Sequence, residues 1–142
     1  MIRSIFIVLL VMAIFIPTVQ AQESKEYLYG EWVNKEYDGE AAEAYPKWDY
    51  NSDGTWASYV KIGDKPVWGG KYTITEKWTD SEKNVWYKIK WVNTMTAYEG
   101  FGLLKISDSG NTIEQQFAVG DYPSRIDPSK GFWEYAGIHR RK

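Results

Sequence analysis

The chain contains no cysteine and only one histidine, His139. The first absence excludes disulfides and a lipid-acceptor cysteine, so an exported domain of this size is expected to hold together by packing alone. The second leaves any nucleophile and imidazole base dependent on a single C-terminal side chain, and no serine stands in a G-x-S-x-G elbow. Catalysis is therefore not the expectation. Positive charge is not in excess either: 17 basic and 19 acidic side chains give a formal net charge of −2. That balance argues against a nucleic-acid partner, which requires clustered positive charge. Long hydrophobic runs are missing as well. The run "IFIVLLVMAIFI", Ile5 to Ile16, counts twelve residues, against the roughly 20 that a membrane-spanning helix needs.

That run has the setting of a secretory signal. Arg3 precedes it, Pro17 follows it, and Val19 and Ala21 place small residues before a cleavage point. Cleavage after Ala21 is expected, dividing the chain into a signal peptide, 1–21, and a single domain, 22–142. An uncleaved N-terminal anchor is the competing reading. Cleavage implies a secreted or periplasmic protein, in a bacterial setting, that is not an integral membrane protein in its mature form.

Beyond the signal, period-2 alternation recurs, which is the pattern of half-buried strands. In "KYTITEKW", Tyr72, Ile74 and Trp78 share one parity; in "NVWYKIKWV", Val85, Tyr87, Ile89 and Trp91 oppose Lys88 and Lys90; in "NTIEQQFAV", Ile113, Phe117 and Val119 oppose Thr112, Glu114 and Gln116. Turn compositions such as "SDG", "IGDKP", "TDSEKN" and "SDSGN" separate the runs. About eight strands result, near 30–37, 45–51, 55–62, 67–75, 84–92, 101–107, 111–119 and 132–140. The fold expected is all-β, an antiparallel up-and-down meander closing into a barrel, since closure removes exposed edges. Helix is confined to one turn at most in "DYPSRIDPSKG", between Pro123 and Pro128. A barrel of eight strands either fills with side chains or holds one small ligand.

Candidate sites are few. Asp49, Asn51, Asp53 and Gly54 in "DYNSDGT" match the opening of a calcium loop, but the twelfth position is Val60, where a bidentate Glu is required. Asn, Ser, Asp and Gly are also what a tight hairpin turn demands. A turn is therefore the expectation, and no metal site is assigned. Glu40, Glu43, Asp49 and Asp53 read as solvated acids, and Lys83, Lys88 and Lys90 beside Trp86 read as the wet face of a strand. What the sequence does have is aromatic content, with eight Trp and eleven Tyr. Tyr and Trp suit both an amphipathic ligand pocket and stacking on sugar rings, although they also favour strands intrinsically. By strand parity, Trp56, Tyr72, Tyr87 and Trp91 are the inward-facing candidates for ligand contact.

The ordered series "YGEWVN", "KWDYNSDGTW", "GGKYTI" and "LLKISDSGNTIE" resembles the lipocalin-like domains of exported bacterial proteins, a calycin-type barrel family, over nearly all of the mature chain. The resemblance implies that Trp32 plugs the closed end of the barrel and that a basic residue near the end of the last strand lies across its ring. Arg140 is the candidate, with Arg141 as the alternative and a solvated "HRRK" tail as the third reading. The expected function is non-enzymatic binding of a small apolar or amphipathic ligand inside the barrel, with no cofactor. The alternative is a carbohydrate- or protein-interaction module that uses exposed aromatics on a filled barrel.

Overall fold

A computed structural model describes residues 26–34, 46–60, 65–130 and 134–142. The signal-peptide span, Glu40, Glu43 and Trp133 lie outside the described residues. Eight strands run in sequence: β1 (Gly30–Asn34), β2 (Lys47–Tyr50), β3 (Thr55–Tyr59), β4 (Trp68–Thr79), β5 (Val85–Asn93), β6 (Glu99–Ser107), β7 (Thr112–Ala118) and β8 (Tyr135–Arg141). Each pairs antiparallel with the next, and β1 pairs with β8, so the sheet is a closed barrel. The meander expected from alternation is the fold observed.

The strands alternate as the sequence does. On β5, Val85, Tyr87, Ile89 and Trp91 face inward, and their partners on β6 are Ile106, Leu104, Gly102 and Gly100. The two glycines matter for space. A Cβ at Gly100 would stand 2.6 Å from the Trp91 ring and 2.6 Å from the Ala118 carbonyl oxygen, so the missing side chain is what lets the indole lie there. Trp78 departs from its expected parity. A bulge between Ile74 and Glu76 shifts the register of β4 by one, which turns Trp78 outward opposite Trp86 and Lys77 inward opposite Tyr87. On the outer face the two indoles stack with ring centroids 5.8 Å apart and planes 2° apart.

The segment "DYNSDGT" forms the β2–β3 turn. Gly54 takes a φ of +83°, and the Asp53 carboxylate accepts hydrogen bonds from the Thr55 N–H, at 2.9 Å, and the Thr55 hydroxyl, at 2.6 Å. Asp49 instead pairs with Lys47, at 3.4 Å. Among the described residues the one helical element is a 3-10 turn at Asp108–Gly110. Residues 121–130, the one segment where a helical turn was allowed, adopt bends and turns, since Pro123 and Pro128 withhold the amide donors a helix uses. Tyr122 and Asp127 fasten this segment to the outer face. The Tyr122 ring lies 4.7 Å from that of Phe101, and the Asp127 N–H donates to Gln116 Oε1 at 2.9 Å.

One end of the barrel is sealed. Trp32 is fully buried there, its indole N–H donating to the Leu28 carbonyl at 3.0 Å. The guanidinium across its ring belongs to Arg141, 4.2 Å from the centroid, and not to Arg140. Register decides this: Trp32 pairs directly with Arg141 across β1–β8, whereas Arg140 pairs with Val33 on the opposite parity and is exposed. Arg141 also donates to the carbonyl oxygens of Gly110, at 3.0 Å, of Tyr29, at 2.7 Å, and of Tyr27. Gly30, at φ +135°, makes room, because a Cβ there would meet the guanidinium at 2.8 Å. Glu26 completes the seal, accepting from the Tyr87 hydroxyl at 2.8 Å and pairing with Lys77 at 2.8 Å.

Two outcomes test this arrangement. Arg141→Ala is expected to lower stability by about 2 kcal/mol, through the lost stacking and the carbonyls left without donors, while Arg140→Ala stays within about 0.5 kcal/mol. Urea midpoints distinguish the two, and equal losses would contradict the assignment. The second outcome concerns acid. Burial works against the charge on Glu26, yet hydrogen bonds from Lys77 and Tyr87 hold its carboxyl below the usual range; Glu31 is held low by Lys47, and Asp80 by the Trp86 indole N–H. Carboxyls depressed in the folded state stabilise it above their unfolded pKa and cease to do so as pH falls. Urea midpoints should therefore be flat near neutrality and decline below about pH 5, with Glu26→Gln shallowing the decline.

Candidate functional site

The opposite end of the barrel, where β1, β3, β5 and β7 end, forms its mouth among the described residues. A cavity of about 410 Å³ descends from this mouth. Its deep part is formed by Tyr50 and Ile89, its walls by Trp48, Trp56, Trp91 and Phe117, and its rim by Trp68, Asn93, Thr96, Tyr98, Glu99, Ala118, Val119 and Glu134. Tyr98 and Val119 are 72% and 78% exposed, so apolar surface continues from the cavity out to solvent.

The walls are a connected set of rings. Trp48 stacks on Trp56, at 5.7 Å and 25°, and on Phe117, at 5.4 Å and 24°. Trp91 meets both Trp56, at 6.2 Å and 77°, and Phe117, at 6.4 Å and 89°, edge to face. Offset-stacked and edge-to-face pairs each add about 0.5–1.5 kcal/mol beyond the area they bury. The rings thus hold one another in place around an open space. The Trp56 indole N–H donates to the Val92 carbonyl at 3.2 Å, fixing that ring to β5.

Buried polar groups accompany the rings. The Tyr50 hydroxyl donates to Gln115 Oε1 at 2.5 Å, in a position fully shielded from water. Burial pushes the Tyr50 phenol well above its ordinary pKa, so it stays a neutral donor. Gln115 Nε2, Ser58 Oγ and Trp91 Nε1 are buried without a hydrogen-bond partner among the described residues. Among those residues no group of three or more His, Asp or Glu side chains could hold a metal ion.

The four residues named from strand parity all face inward, but at different depths. Trp56 and Trp91 line the cavity. Tyr72 sits below it, edge-on to Tyr50 at 5.3 Å, with its hydroxyl donating to the Asn51 carbonyl at 2.8 Å in the β2–β3 turn. Tyr87 lies at the sealed end, bound to Glu26. Burial raises both phenols above the ordinary tyrosine range, Tyr87 with help from the Glu26 hydrogen bond, so each keeps its proton and its structural bond at neutral pH. Parity distinguishes inside from outside and says nothing of depth. Trp48, Tyr50 and Phe117 were legible by the same rule, since Trp48 and Tyr50 share a parity in "KWDY" and Phe117 shares one with Ile113.

No family model, curated protein or solved structure matches this chain. The outer aromatics differ from the cavity walls in being covered by cations: Lys88 lies over Trp78, at 5.9 Å, and Tyr122, at 5.3 Å, and Lys105 lies over Trp86, at 5.5 Å.

Gly100 offers a direct test of the wall. Gly100→Ala is expected to displace the Trp91 ring and to cost about 1–3 kcal/mol by overpacking, seen as a changed near-ultraviolet circular dichroism spectrum and a lower urea midpoint. An unchanged spectrum would mean that Trp91 does not rest on Gly100.

Proposed function

We propose that this chain is an exported, non-enzymatic, lipocalin-like protein that takes a small apolar or amphipathic ligand into the open end of its barrel. The observation that carries this reading is the cavity of about 410 Å³ with stacked aromatic walls. Its volume falls in the range of about 300–1,000 Å³ that small-molecule sites occupy, and its few polar groups among many apolar ones are the usual composition of such sites. An eight-stranded barrel that had filled itself with side chains would offer no such space. The sole histidine, His139, is not among the lining residues, which gives a nucleophile in the cavity no imidazole to activate it.

The alternative reading, a carbohydrate- or protein-interaction module, draws on the coplanar Trp78–Trp86 pair on the outer face. Lys88 and Lys105 cover those rings, so a sugar would first have to displace them. The inner site is favoured for that reason.

Intrinsic tryptophan fluorescence, titrated with a panel of apolar and amphipathic small molecules and of oligosaccharides, separates the two. A saturable quench or blue shift with an apolar member is expected, weakened about tenfold by Trp56→Ala or Trp91→Ala, as for loss of a buried aromatic anchor, and unaffected by Trp86→Ala. A response to oligosaccharides alone, abolished by Trp86→Ala, would establish the outer face instead.

A further inference from the structure

Resting on the ligand-binding reading of the cavity, we infer that its occupant is an organic cation, a small amine or quaternary ammonium carried on an apolar body, and not a fatty acid or other carboxylate. Among the described lining residues the ones that bear charge at neutral pH are Glu99 and Glu134; no Lys, Arg or His is there. The two carboxylates differ in aim. The backbone carbonyl of Glu134 accepts from the Phe117 N–H at 2.6 Å, which sets Glu134 in register with an inward-facing ring and gives its side chain the parity of the cavity wall. Glu99 pairs with Val92 on the outward parity, so it acts on the mouth through its field.

The basic side chains of β5, the strand that carries Ile89 and Trp91, stand on the other side of the wall. Lys90 lies over Phe101, at 5.9 Å, and Lys88 over Trp78 and Tyr122, all on the outer face. A carboxylate ligand would therefore bring a third negative charge to a mouth whose described lining holds two and offers it no counter-cation. An ammonium finds the opposite charge there and tryptophan rings below it, the best of the aromatic partners for a cation. The positive edges of two of those indoles are withdrawn into the wall: the Trp56 N–H is taken by the Val92 carbonyl, and the Nε1 of Trp91 is buried, with the ring edge nested against Gly100.

Calorimetric titration with three probes that share one ring system tests this: 2-naphthylmethylammonium, the neutral 2-naphthylmethanol, and 2-naphthoate. At low ionic strength the ammonium is expected to bind about tenfold or more tightly than the carboxylate, with the alcohol between them. Glu134→Gln should weaken the ammonium by about threefold to tenfold, with a smaller loss for Glu99→Gln, as for charges near a partly screened mouth. The alcohol should lose less affinity than the ammonium in both variants, and a wild-type near-ultraviolet circular dichroism spectrum shows that each has folded. If the alcohol binds and the naphthoate equals or exceeds the ammonium, the cation inference is overturned and the cavity reading stands. If none of the three binds, both fall together.

Discussion

Closure between β1 and β8 is the constraint on which everything else here depends. β1 is five residues long and meets β8 through three residue pairs, Trp32 with Arg141, Val33 with Arg140 and Asn34 with His139. A seam that short is reinforced by side chains, and the Arg141 guanidinium does this by spanning from β8 to the carbonyls of Gly110, Tyr29 and Tyr27 while covering the buried Trp32 ring. Gly30 is the concession that allows it, in both its φ and its lack of a Cβ. Without the seal the sheet would have two free edges, and the inner face could not be dry at one end and open at the other.

An open cavity in so small a barrel needs walls that do not collapse inward. Aromatic rings meet that need because each has few rotatable bonds and a large contact area, so a ring held by its neighbours cannot easily refold into the space beside it. Trp48, Trp56, Trp91 and Phe117 brace one another through stacked and edge-to-face contacts. The outer aromatics follow a different logic. Trp78, Trp86, Phe101 and Tyr122 pack on the outside of the sheet beneath lysine side chains and residues 121–130. Among the described residues the aromatics therefore divide into an inner and an outer population, and it is the inner one that encloses the cavity.

Much of this architecture was legible in the chain itself. Alternation and turn chemistry located eight strands in order, and "NSDG" marked its hairpin through residues that tolerate positive φ. The same alternation named Trp56 and Trp91 among the cavity residues. It misjudged Trp78, because a bulge adds a residue to one strand without altering its composition, and every parity beyond the bulge reverses. The lipocalin-like resemblance set Arg140 above Arg141, since two adjacent arginines differ only in which side of the sheet they take, and that is fixed by the partner strand. Gln115 escaped notice for a related reason: it sits between Ile113 and Phe117 on the inner face, where a polar residue reads as an interruption until Tyr50 is seen to hydrogen-bond with it.

The sequence by itself determined the all-β class, the number and order of strands and the side of most residues, because these follow from local periodicity and turn-forming residues acting within a few positions. Tertiary structure alone decided which arginine caps Trp32, how deep each inward aromatic lies, and that the barrel retains an aromatic-walled cavity with carboxylates at its mouth. Those features depend on register between strands and on the volume left after rings from distant segments have packed. No short stretch of chain encodes either quantity.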